Sequence, residues 1–88
     1  DADQGMLFVF EEQSKISVWM KNTLIPLDVL FIDQTGKIVS MLKNLPPCKQ
    51  INCPVYHSGA PASFMLEVAT GFIDQQQIQT GQALKLPF

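Results

Sequence analysis

This sequence predicts a mainly β domain, either a small β-barrel or a rolled antiparallel or mixed sheet with at most one short helix, and three observations carry that expectation. Charged residues make up 16% of the chain and hydrophobic ones 47%. An average soluble protein is roughly 25% charged, so few residues are left here for solvated helix faces. Short β-branched and aromatic runs recur along the chain, several of them alternating with a period of two. Glycine, proline and asparagine separate those runs at turn-like intervals. With 88 residues the chain is one domain, residues 1–88, because a second hydrophobic core would need roughly 100 residues more.

The elements follow in order. Met6 to Phe10 reads as a buried strand ended by a turn over Glu11-Glu12-Gln13-Ser14. Extended structure resumes at Ile16, with Ile16, Val18 and Met20 on one face and Ser17, Trp19 and Lys21 on the other. Pro26 lacks a backbone donor and suits a strand start. Leu27 to Asp33 is then apolar on both faces apart from Asp28, which predicts a central strand. Gln34-Thr35-Gly36 predicts a hairpin with a bulged loop into Lys37 to Leu42. From Asn44 to Pro61 the chain reads as a long loop holding Pro46, Pro47, Pro54, Pro61 and both cysteines. Ser63 to Thr70 alternates again as a strand, and Gly71 ends it. Phe72 to Gln77 predicts one or two helical turns, Ile78 to Gly81 a turn, and Gln82 to Leu86 a last strand.

Charge narrows the function. The net charge is −2 with a pI near 5.0, and all six basic residues are lysines scattered along the chain. Nucleic-acid binding needs clustered cations that release counterions, so it is not expected. The absence of arginine removes the planar fork best suited to gripping phosphate or carboxylate. No apolar run is long enough for a transmembrane helix in this chain. Asp1-Ala2-Asp3-Gln4 is not a signal peptide, and the chain reads as a fragment or the ordered part of a longer one.

Several motifs in combination resemble a known family. They are Gly5-Met6-Leu7-Phe8-Val9-Phe10, Trp19-Met20-Lys21-Asn22-Thr23, Ile25-Pro26-Leu27-Asp28, Phe31-Ile32-Asp33 with Gly36, Pro47-Cys48, Cys53-Pro54-Val55-Tyr56, Ala62 with Leu66-Glu67, and Gly71. From Gly5 to Leu86 the chain resembles family 192 of the domains of unknown function, small bacterial and archaeal proteins that are often exported. The resemblance implies a compact barrel-like β domain and no established catalytic activity. Members usually begin with a strand and a helical segment containing Gly-Leu-Met. This chain lacks both, so it would be the C-terminal part of a slightly longer domain. It also has Gly81-Gln82 where the family tends to show Gly-Asp.

Cys48 and Cys53, with four residues between them in the proline-rich stretch, are expected to form a disulfide worth about 2 kcal/mol. That would place the protein in an oxidising compartment, the periplasm or the cell exterior. A redox pair would want Cys-x-x-Cys at a helix start. Zinc held by Cys48, Cys53 and His57 would lack a fourth ligand, so no metal and no cofactor are expected. Ser58 and Ser63 sit in no Gly-x-Ser-x-Gly elbow.

Trp19, Lys21, Asn22, Thr23, Asp28 and Glu67 are the candidate ligand-binding residues: an indole face with donors and acceptors set among apolar strands. The competing structural reading has Asn22, Thr23 and Asp28 bonding nearby backbone, and Lys21 only pairing charge with Asp28 or Glu67. The leading expectation is a non-enzymatic, exported binding domain whose partner is a small molecule or a protein, contacted through the Trp19 to Asp28 surface. One rival is a hydrolase-like enzyme with Asp28 or Glu67 as general base and Lys21 stabilising developing negative charge. Another is an assembly module completed at its sheet edges by a second chain.

Overall fold

The structure is a computed structural model that describes residues 5–84. Four strands, β1 (Gly5–Trp19), β2 (Leu27–Ile32), β3 (Ile38–Leu45) and β4 (Val55–Ala69), precede one short helix, α1 (Phe72–Gln75). All neighbouring strands run antiparallel in the spatial order β1-β4-β2-β3. The expectation of a mainly β domain with one short helix holds, in its sheet form. The sheet is open rather than closed into a barrel, with β1 and β3 at its edges.

β1 is one continuous strand where the sequence predicts two and a turn. Its pairing with β4 runs from Gly5↔Val68 to Val9↔Phe64 and resumes at Ser14↔Ala62, so Phe10 to Gln13 face Ser63 alone. The acidic tract is therefore an excursion within the strand, and extra residues of this kind bend a ribbon. Gln13 anchors it: its Oε1 accepts from the Gln34 amide at 3.0 Å and from the Ser63 hydroxyl at 3.5 Å. A second irregularity follows between Lys15↔Pro61 and Ser17↔His57, where the extra residues belong to β4. Ser58 is buried there, accepting from the Ile16 amide at 3.0 Å and donating to the Ala60 carbonyl at 2.7 Å.

The predicted long loop from Asn44 to Pro61 is shorter than expected for the same reason. β3 runs on to Leu45 and β4 starts at Val55. Gly59 and Pro61, turn residues by type, sit inside β4, the glycine with φ 75°. The remaining connection closes on Cys48–Cys53, whose Cα atoms are 5.9 Å apart.

β2 is the interior strand expected, with Asp28 to Ile32 all buried. One face of the sheet gathers Ile16, Val18, Met20, Val29, Phe31, Leu45, Ala62 and Met65 into a core. Ile16 and Val18 come from the half of β1 that pairs with Val55 to Pro61, and Met20 directly follows it, yet all three pack in one core with Val29 and Phe31. The β1–β4 ribbon is thus folded over the β2–β3 face. On the opposite face Leu30, Ile32 and Ile38 pack with Ile73 of α1 and with Ile78 and Leu84.

The β2–β3 hairpin turns as predicted. Asp33 Oδ1 accepts from the Thr35 amide at 2.9 Å, the Thr35 hydroxyl at 2.6 Å and the Lys37 amide at 3.0 Å. Gly36 has φ 91°, and a Cβ there would lie 2.9 Å from the Leu84 carbonyl oxygen, so glycine is needed on both counts. Over Gln82 to Leu84 the predicted last strand is reduced to a single bridge, Ala83 with Lys37. The rest of the predicted last strand, Lys85 and Leu86, lies outside the described residues.

Candidate functional site

The six candidate residues fall into three places. Trp19 and Lys21 come together at the end of β1, Asp28 is buried under α1, and Glu67 lines a separate cleft.

Trp19 ends β1 opposite Val55 and is 57% exposed. It stands outside because the even-numbered Ile16, Val18 and Met20 take the core face, and the pleat sends Lys15, Ser17 and Trp19 the other way. Lys21 lays its ammonium 5.4 Å from the centroid of the indole ring, a cation–π contact. Backbone pairing fixes the segment beyond β1. Lys21 and Cys48 form a parallel bridge, the Asn22 amide donates to the Cys48 carbonyl at 3.0 Å, and the Thr23 amide donates to the Met20 carbonyl at 3.1 Å. Asn22 has φ 63°, the left-handed conformation asparagine tolerates best among residues with a side chain. The disulfide loop thereby braces the Lys-Asn-Thr tripeptide. A cleft of about 210 Å³ lies alongside, lined by Met20, Tyr56, Cys48, Lys49 and the neighbouring prolines.

Asp28 is 1% exposed. Its Oδ1 accepts from the Asn44 amide at 2.9 Å, and its Oδ2 from the Gly71 amide at 3.1 Å and the Ile73 amide at 3.0 Å. One carboxylate thus ties β2 to the end of β3 and to the start of α1. Asn44 and Gly71 both have positive φ, 56° and 92°, and both are held by this group. The Thr70 hydroxyl donates to the Asn44 side-chain oxygen beside it.

Glu67 lies on β4 between Met6 of β1 and Val29 of β2. With Gly5, Met6, Ile25, Leu27, Val68 and Ala69 it lines a cleft of about 270 Å³. Burial among these apolar neighbours pushes the Glu67 carboxyl above its ordinary range. Asp33, in the hairpin turn, shifts the other way. The Thr35 hydroxyl, and after it the Lys37 amide, hold its carboxyl below the ordinary carboxylate range.

Among the described residues the ion pair is Lys43 with Asp74, 2.6 Å apart and exposed. No ion pair joins Lys21 to Asp28 or Glu67. Both cysteines are in the disulfide, and no cluster of three or more His, Cys, Asp or Glu side chains with metal-binding geometry occurs among the described residues. Sequence reasoning missed three residues on the Trp19 face of this ribbon, namely Lys15, the Ser17 partner His57, and Val55 directly opposite Trp19. Val55 and His57 pair with Trp19 and Ser17, and the Ser17 hydroxyl lies 3.3 Å from His57 Nδ1. The one local signal was the pair Val55-Tyr56 directly after Pro54, two residue types that favour strands.

The fold and these contacts define a small open-sheet β domain that carries an exposed tryptophan under a lysine, on a segment braced by a disulfide loop. The family model for DUF192, described as an uncharacterized ACR, matches residues 1–86, and the chain belongs to that family. A crystal structure from Sinorhizobium meliloti 1021, of a protein named only provisionally as a transcription regulator, is similar at TM-score 0.88 and 34% identity. The match covers 97% of this chain and 64% of that one. A protein of unknown function from Novosphingobium aromaticivorans is similar at TM-score 0.87 and 23% identity, over 98% of this chain and 59% of that one, and shares the fold. The chain thus spans about three fifths of the length of either structure. No curated protein matches it.

Proposed function

We propose that this domain is a recognition module, exported and non-enzymatic, whose contact surface is Trp19 with Lys21 over its ring and Val55 beside it. The observation that carries the reading is the exposed indole with its cation, on backbone fixed by pairing to β4 and to Cys48. A rigid aromatic face contributes contact area at small entropic cost, and a cation at its rim adds orientation. Asp28 has both oxygens engaged by backbone amides, which favours a scaffold role for it over that of a general base. Glu67 belongs to a different cleft and would bind, if anything, a different ligand.

Export is supported by the disulfide, which persists in oxidising compartments. No helix among the described residues is long and apolar enough to cross a membrane.

The chain has one tryptophan, so its emission reports on this surface alone. A library of small molecules and short peptides screened by that emission should give binders whose affinity falls at least about tenfold in Trp19→Ala, the scale of losing an aromatic anchor. Binders that hold Trp19→Ala as tightly as the parent protein would overturn the reading.

A further inference from the structure

β1 is an edge strand. It pairs with β4 on one side, and no strand among the described residues pairs with its other side. Edge strands present unpaired backbone donors and acceptors, and natural proteins usually protect them or use them. Over Lys15 to Trp19 this edge carries an unusual set of outward side chains. Lys15, Ser17 and Trp19 are exposed on one face, and Lys21 continues the series by lying over the indole. Neither Lys15 nor Lys21 has an ion-pair partner among the described residues, although the chain as a whole is net negative. We infer that this edge accepts an extended acidic segment of a partner protein as an additional strand. The inference rests on the recognition reading above and gives it a partner class.

Alternate residues of a strand stand roughly 6.5–7 Å apart on one face. A segment paired along β1 would therefore set its own alternate side chains opposite Lys15, Ser17, Trp19 and Lys21 in turn. The complementary pattern is a carboxylate at each end, a small polar residue opposite Ser17 and an apolar residue opposite Trp19. Cross-strand pairs of these kinds stabilise a ladder, and like charges directly opposite destabilise it. Glu11 and Glu12, exposed in the excursion upstream, would repel an acidic strand, which confines the site to Lys15 through Lys21. The backbone ladder supplies affinity, and the lysines and indole supply selectivity.

The probe is a short peptide with Glu at both ends and Val and Thr between, titrated into the full chain while Trp19 emission is followed. Its controls are the same peptide with Lys in place of Glu and the same peptide N-methylated at alternate amides. The inference expects the acidic peptide to bind, the lysine peptide to bind at least about tenfold more weakly, and N-methylation to cost at least about as much. The charge-reversed pair Lys15→Glu with Lys21→Glu, the first exposed on β1 and the second half-buried just beyond its end, should invert the preference between the two peptides. Equal binding of the methylated and unmethylated peptides would show simple charge attraction and overturn the strand proposal. So would sedimentation showing a stable dimer that the peptide cannot dissociate. If neither peptide binds while library compounds still perturb Trp19, this inference fails and the recognition reading stands.

Discussion

Asp28 is the residue on which most of the local order converges. One carboxylate accepts from three backbone amides that belong to the end of β3 and the start of α1. Asp28→Ala leaves those donors without their acceptor, the Ile73 amide buried and the Asn44 and Gly71 amides partly so, and a buried orphaned donor costs about 1–3 kcal/mol. The variant should therefore lose at least about 3 kcal/mol in urea denaturation, while Asp28→Asn, which keeps one acceptor oxygen, should lose less. Equal stability of Asp28→Ala and the parent would refute the capping role. Glu67 behaves in the opposite sense. Its carboxyl is raised in the folded protein by burial, so the folded state holds its proton more tightly than the unfolded chain, where a glutamate titrates near about 4.3. Stability from this group falls as pH rises from the unfolded value through the raised one, and above that the buried charge is a standing cost. Glu67→Gln should raise the urea midpoint at neutral pH and flatten its dependence across that acidic window. A lower midpoint for Glu67→Gln at neutral pH would mean that the carboxylate has a partner there.

Between elements, the disulfide loop acts on the Trp19 segment through Cys48, whose carbonyl accepts from the Asn22 amide and whose backbone bridges Lys21. Cys48 and Cys53 are five positions apart in sequence, and closing so short a loop restricts the unfolded chain by about 2 kcal/mol. The double variant Cys48→Ser with Cys53→Ser should be destabilised by about that amount. Amide exchange at Asn22 should rise more than exchange in β2. Uniform exchange across the chain would disconnect the loop from the binding surface. The elements that were legible in the sequence are those whose pattern is local. The alternation of Ile16, Val18 and Met20, the apolar run from Val29 to Ile32, and the Asp33-to-Gly36 turn each follow from burial or turn chemistry within a few residues. The continuity of β1 through Glu11 and Glu12, and that of β4 through Gly59 and Pro61, were not legible. There, pairing between residues some forty positions apart overrides turn-forming types such as Gly59 and Pro61. The split of the candidate site has the same origin. Lys21, Asp28 and Glu67 look like one polar set in sequence, but the register places Glu67 beside Met6 and Val29, at the opposite end of β1 from Trp19.

Across the whole molecule, the β1 edge of the sheet and one exposed aromatic face meet at Trp19. The two similar crystal structures have longer chains, of which this one matches 64% and 59%, so the behaviour of a whole protein of that length is a matter for proposal. Placement of the bound partner is what separates the recognition reading from its rivals. The most direct measurement is an amide chemical-shift map of the chain with its tightest library binder. The account predicts shifts confined to Lys15 through Thr23, Cys48 and Val55 through His57. Shifts centred on Gly5, Met6 and Glu67, with the Trp19 indole resonance unmoved, would contradict it.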